Sequence, residues 1–276
     1  MEFKNTSIMN FEGALRGMRN PLNSWAKSDS VFDIYCVHED FDVVDEVAGL
    51  WANKALENVV DDNEENYDKE YEEKYDEFHS WLWAEGVTSI GTDHHYQVNI
   101  IGPNDMGLAK RLIAAGTEHR KFLRQIFVSV DITAPLYWWK EADTYKVGTT
   151  ANSTSTMHKL ASTPITLECF ETDDYDGDLV YFDSDDSFLD VNDMTSSLIG
   201  DLESLRQKYN ETKDKRYWKE LIRWLPNGWL QTRTVTMNYE NLRSMYHQRK
   251  NHKLTEWHSF CEWVESLPYA KDFIID

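Results

Sequence analysis

One group of side chains that could line an anion site is a run of hydroxyls. Residues 149–158, TTANSTSTMH, are rich in them. Such a stretch makes a loop or a helix cap, and hydroxyls beside free backbone N–H groups also suit a phosphate. Signatures for other chemistry are missing. The sequence has no Gly-x-Ser-x-Gly, no His-Glu-x-x-His and no phosphate loop. His94 and His95 are adjacent, so on a strand they face opposite ways and cannot share one ion. His247, His252 and His258 are spaced by five and six residues, which does not align them on one helical face. They read as surface or capping histidines. Residues 171–193 hold a cluster of aspartates, but in neither register do they supply the Gly at the sixth place and the Glu at the twelfth that a calcium loop needs. No metal site is expected.

The elements that must carry these groups follow from hydrophobic period. Residues 31–37 (VFDIYCV) and 95–101 (HYQVNII) alternate as strands, and Phe122, Ile126, Val128 and Val130 place another within 118–130. Helical spacing covers 9–17, 43–59, 105–115, 194–208 and 218–225, and again 236–265, where Pro268 closes the run. The aromatic run 136–139 has no clean period. Residues 61–77 are dominated by Asp and Glu, with Tyr67, Tyr71, Tyr75 and Phe78 recurring as one aromatic stripe. That pattern suits an exposed helix packing one edge on the body, or an arm that meets a partner. Trp81 and Trp83 follow, then a turn at Gly86 and Gly91.

With 276 residues, 41% hydrophobic, and 11 Trp, 14 Tyr and 12 Phe, the chain has the material for a sizeable core. A single domain over 1–276 is expected, with an acidic helical insertion near 43–85. The net charge of −21 argues against binding nucleic acid through a basic face. It leaves either a solvated acidic surface or one that pairs with a basic protein. Cys36, Cys169 and Cys261 are lone thiols, which suggests a reducing compartment. The first residues lack an apolar leader, and no run is long enough to span a bilayer. A cytoplasmic protein without a membrane partner is expected.

Two stretches stand out together. One is Glu118-His119, then Phe122 and Ile126, then the polar segment 139–152. The other is Leu225-Pro226-Asn227, Thr234-Val235-Thr236-Met237-Asn238, Leu242, Arg249 and Trp257. In order and spacing, over roughly residues 98–265, they resemble the flavin-dependent thymidylate synthase family. That family opens its core with Glu-His-x-x-Phe and carries Arg-His-Arg-x-x-Ser-x-x-Glu-x-Ser-x-Arg-Tyr. Its first Ser falls on Thr144, beside Tyr145, and its second on Thr149. Met237, Asn238 and Leu242 match directly, and Arg249 falls where the family keeps an Arg beside the pyrimidine.

The resemblance implies an α/β fold, with a central mixed sheet flanked by long helices, assembled as a homotetramer with active sites between subunits. It implies a nucleotide or other small anion as ligand and FAD as cofactor. The reaction implied is reductive methylation of dUMP to dTMP, a methyltransferase step in dTMP biosynthesis. Arg249 would be catalytic, polarising the pyrimidine carbonyls. His119, Lys140 and Asn238 would meet the flavin, and Thr144, Tyr145 and Thr149 the substrate. The chain departs from the family at several ligand positions. The Arg-His-Arg triplet is Trp139-Lys140-Glu141, the signature Glu is Val147, and the Arg-Tyr pair is Ala151-Asn152. On the later helix the usual Arg and His are Glu240 and Ser244. An Arg fork on phosphate has no substitute in Ala, Glu or Trp. Lys140, Lys146, Lys159 and residues 153–156 are the available replacements. The alternative is an inactive or repurposed synthase scaffold that binds a basic macromolecule. Either way, the two stretches are expected to wall one pocket.

Overall fold

The structure is a computed structural model that describes residues 1–32, 34–36, 43–56, 64–84, 95–97, 99–184 and 187–276. Its strands are β1 (Glu2–Met9), β2 (Ile34–Cys36), β3 (His95–Gln97), β4 (Phe127–Pro135), β5 (Thr150–Ser153), β6 (Val180–Ser184), β7 (Ser187–Asp190) and β8 (Leu230–Asn238). Its α-helices are α1 (Phe11–Arg19), α2 (Val43–Leu56), α3 (Glu64–Ala84), α4 (Pro103–Ala114), α5 (Leu136–Ala142), α6 (Thr156–Lys159), α7 (Val191–Thr212), α8 (Lys215–Trp224), α9 (Tyr239–Arg249) and α10 (Thr255–Glu265). They divide into two compact units, one of Asn10–Ile126 and one of Met1–Met9 with Phe127–Asp276. No described helix is long and apolar enough to cross a membrane.

The second of these units is built on a four-stranded sheet in the order β1-β4-β8-β5. The α/β class expected from the sequence holds. Its direction needs correcting: every described pairing is antiparallel, not mixed. Neighbouring strands enter from opposite ends, and no crossover helix returns one parallel to its neighbour. β4 is the spine. Val128, Val130, Ile132 and Ala134 are at most 1% exposed, while alternate residues reach the other face. Burying each Val or Ile side chain contributes roughly 1.5–3 kcal/mol. Against that face stand Trp138, Trp257 and Phe260, with ring centroids 4.9 Å apart for the two tryptophans and 5.5 Å for Trp257 and Phe260. A smaller core gathers Leu160, Ile165, Leu202 and Leu221 under α7 and α8.

Local chemistry explains where the elements differ from their hydrophobic period. β4 begins at Phe127, and residues 121–125 form a 3-10 turn instead of the start of a strand. The unpatterned aromatic run is the first part of α5, opened by Pro135. Residues 236–265 are not one helix. β8 ends at Asn238, whose side chain accepts from Asn241 N at 2.9 Å while Asn238 N donates to Asn241 Oδ1 at 3.3 Å, and this capping box starts α9. The hydroxyl-rich stretch is the edge strand β5 followed by the single turn of α6.

In the unit Asn10–Ile126, the acidic helix α3 turns its aromatic stripe to α2. Phe78 meets Trp51 edge-on at 5.1 Å, and Trp51 is 2% exposed. α4 is capped by Asp29, which accepts from Asn104 N at 2.7 Å and Asp105 N at 3.1 Å. Arg19 and Asp105 form a buried ion pair. The turn at Gly86 and Gly91, and His94 of the adjacent histidines, lie outside the described residues.

Candidate functional site

The segment between α5 and β5 folds back onto both ends of α9. At the helix start, Asn241 Nδ2 donates to Val147 O at 2.6 Å. Gly148 takes φ +77, and a Cβ there would stand 2.9 Å from Asn238 Nδ2, so glycine serves both the backbone conformation and the close approach. At the helix end, Arg249 Nε donates to Tyr145 Oη at 2.8 Å, and Tyr145 Oη donates to Gln248 Oε1 at 3.1 Å. The two stretches that stood apart in the sequence therefore meet within one chain.

Arg249 is the centre of this junction. Its guanidinium lies 4.7 Å from the Trp257 ring centroid and 5.5 Å from that of Tyr145. As the last residue of α9 it also stands where a cation favours the helix dipole. Its charge is met by Glu141, whose Oε2 accepts from Arg249 Nη1 at 2.9 Å and from Trp257 Nε1 at 3.1 Å. His252 Nε2 lies 3.4 Å from the same oxygen. Glu141 was visible in the sequence only as the replacement for a family Arg. Its partner could not be read there, because the contact spans 108 residues.

Beside the junction is a cavity of about 30 Å³, walled by Trp138, Trp139, Tyr145, Thr149, Met237 and Phe260, among others. That volume holds one or two waters. Two of the wall residues carry buried polar atoms without a hydrogen-bond partner, Thr149 Oγ1 and Trp138 Nε1. Arg233, from β8, donates to Asp143 Oδ1 at 2.7 Å and stacks over Trp139 at 4.2 Å, and both of these partners line the cavity. Sequence reasoning passed over Arg233. The Thr/Val alternation of β8 was its only signal, and the end of that strand, from Thr236, was read as helix.

The remaining expected residues are placed as follows. Lys140 is exposed and donates to Asn227 Oδ1 at 2.6 Å. Thr144 is exposed and its Oγ1 donates to Glu141 O at 2.7 Å, finishing α5. Asn238 serves as the cap described above. His119 is exposed in a turn of the other unit, Asn10–Ile126. Cys261 is buried, and that burial pushes its thiol up to about 11, with Glu265 and Glu262 adding to the shift.

These groups do not fit a flavin within one chain. The Arg249 cation is neutralised by Glu141, the Asn238 Oδ1 is committed to its helix, and Lys140 bonds a neutral amide.

No protein-family model and no curated protein matches the chain. Among solved structures, thymidylate synthase X from Helicobacter pylori with FAD and dUMP aligns at TM-score 0.52 and 13% identity, covering 100% of this chain and 98% of that one. A second structure of the flavin-dependent thymidylate synthase from Helicobacter pylori, complexed with FAD and dUMP, aligns at TM-score 0.45 and 16% identity, over 62% of this chain and 83% of that one. The UMP/dUMP methylase PolB from Streptomyces cacaoi, bound with 5-Br dUMP, aligns at TM-score 0.44 and 14% identity, over 62% and 80%. At such identity the full-length alignment shows a shared fold.

Proposed function

We propose that this chain is a synthase-fold protein whose junction of Tyr145, Thr149 and Arg249 receives a pyrimidine nucleotide. The single observation that carries the reading is the hydrogen bond from Arg249 to Tyr145, joining residues 104 apart in sequence. It lies in a fold shared with a synthase solved with dUMP. The residues supply a cation, a phenol and a hydroxyl with an unfilled hydrogen-bonding capacity. Arg249 is suited to polarise a pyrimidine carbonyl or to grip an anion. Thr149 is suited to fix the ligand's orientation. Methylation of dUMP to dTMP is the reaction that the resemblance implies for such a site. No step through flavin is derived, since this chain's residues do not fit it.

The test is thermal unfolding across dUMP, UMP and inorganic phosphate, with an absorbance spectrum of the native protein. dUMP at about 100 times its Kd stabilises by about 2.7 kcal/mol through mass action, and Arg249→Ala removes the effect. A flavin spectrum would overturn the conclusion that the residues do not fit that cofactor. A colourless protein whose unfolding ignores all three ligands overturns it.

A second reading is favoured by one specific observation, the Glu141 carboxylate already bound to Arg249. In that reading the chain has retired the phosphate chemistry and serves as a binding scaffold. It predicts no ligand response from the native chain or from any variant at Glu141.

A further inference from the structure

We propose that the ribbon β6–β7 is a docking surface for a cationic protein segment bearing apolar side chains. The inference stands apart from the nucleotide reading. The ribbon is a two-stranded sheet of its own, with no third strand among the described residues. Residues paired directly across it share a face. Phe182 pairs with Leu189, and Asp183 with Phe188, so large apolar groups project on both faces. Phe182 is 48% exposed, Phe188 56%, Leu189 37% and Tyr181, at the bulge, 54%. A lone two-stranded hairpin is marginal in water. One that exposes aromatic rings on both faces is unlike the scattered apolar residues of an ordinary surface. Leu179 and Met194, 58% and 51% exposed, extend the patch onto the start of α7.

Charge chooses the occupant. Residues 171–193 contain ten carboxylates and no Lys or Arg. Asp190 and Asp193 are engaged in the capping box of α7. Asp183 is exposed on the ribbon, and Asp174 and Asp178 are exposed in the segment that leads into it. A second copy of this chain would set the same carboxylates against each other across a two-fold axis, which opposes pairing. An anionic lipid surface is repelled for the same reason. A segment that alternates Lys or Arg with apolar residues meets both features at once, its side chains reading the ribbon and its charges the rim.

The probe is a fluorescent peptide of alternating Lys and Leu, with a Lys-Ser peptide of equal charge as control, titrated into the full chain by anisotropy at about 0.15 M salt. The Lys-Leu peptide should bind and the control bind at least about tenfold more weakly. Phe182→Ser with Phe188→Ser should weaken Lys-Leu binding about tenfold while leaving the control unchanged. Asp174→Asn with Asp178→Asn should weaken both peptides and flatten the salt dependence, and this pair carries the test if the Phe variant misfolds. Equal binding of the two peptides, or binding indifferent to both variants, overturns the proposal. So does a native oligomer, seen by sedimentation, that Phe182→Ser with Phe188→Ser converts to monomer, because a second copy would then be the occupant.

Discussion

Glu141→Gln separates an anion-gripping Arg249 from a structural one. In the native chain, Glu141 Oε2 holds Arg249 Nη1 at 2.9 Å and Trp257 Nε1 at 3.1 Å. Glutamine keeps an acceptor for these donors but removes the negative charge. The local stability loss is therefore small, about 1 kcal/mol for a half-exposed, charge-assisted pair. The effect on a ligand is larger. A phosphate reaching Arg249 would stand about 6 Å from the removed charge, and at an effective dielectric of about 40 that repulsion is worth about 1.4 kcal/mol. Glu141→Gln should thus bind dUMP and inorganic phosphate roughly tenfold more tightly than the native chain. Calorimetric titration measures the affinity, and urea unfolding of the same samples measures the stability. An intact variant whose affinity is unchanged or weaker would refute the reasoning, since Arg249 would then gain nothing from losing its internal anion.

Two further outcomes follow from the buried and half-buried ion pairs. Asp105, fully buried, accepts from Arg19 Nε at 2.5 Å and from the Ser28 and Ser30 hydroxyls at 2.6 and 2.5 Å; Asp105→Asn strands a buried guanidinium and should lower urea stability by about 3–5 kcal/mol, so a loss below about 1 kcal/mol would contradict a buried charged pair. The Arg206 guanidinium, bonded to Glu203, holds that carboxyl down to about 2, well below its ordinary 4.5. A depressed carboxylate stabilises fully above its unfolded pKa and loses that contribution as pH falls through its folded one. Glu203→Gln should therefore lose about 1 kcal/mol at neutral pH, with the difference shrinking below about pH 4.5 and gone near pH 2. A difference that stays constant on acidification would contradict it.

The helices were legible because their signals are local. α2, α3, α4, α7 and α8 all fall on stretches whose apolar spacing marked them. β4 was half legible, since Val128 and Val130 alternate, but its last residues lead into the aromatic run of α5. β1 went unseen because it is a largely exposed edge strand with Asn5 at φ 53, so no buried alternation marks it. β8 was hidden by its position. Its polar alternate residues belong to a sheet face, yet they precede a helix directly, and the switch of period at Asn238 needs the cap to be recognised. The meeting of the two ligand-like stretches was legible as a register match. Its electrostatics were not, because the partner of Arg249 comes from a helix 108 residues away.

That difference has a physical root. The fold rests on what each element does for itself and for the sheet: the alternation of β4, the box that starts α9, the rings of Trp138, Trp257 and Phe260. None of these needs a phosphate. A site for an anion, by contrast, rests on a few cations whose repulsion and desolvation are relieved only when the ligand arrives. With Glu141 bound to it, Arg249 is satisfied without any ligand. The same carboxylate that lets the junction close in isolation must then be displaced or outcompeted before an anion can enter. Whatever binds there has to offer Arg249 and Trp257 at least as good an acceptor as Glu141, and an anion with two oxygens that reach both donors, as a phosphate has, is the chemistry that does so.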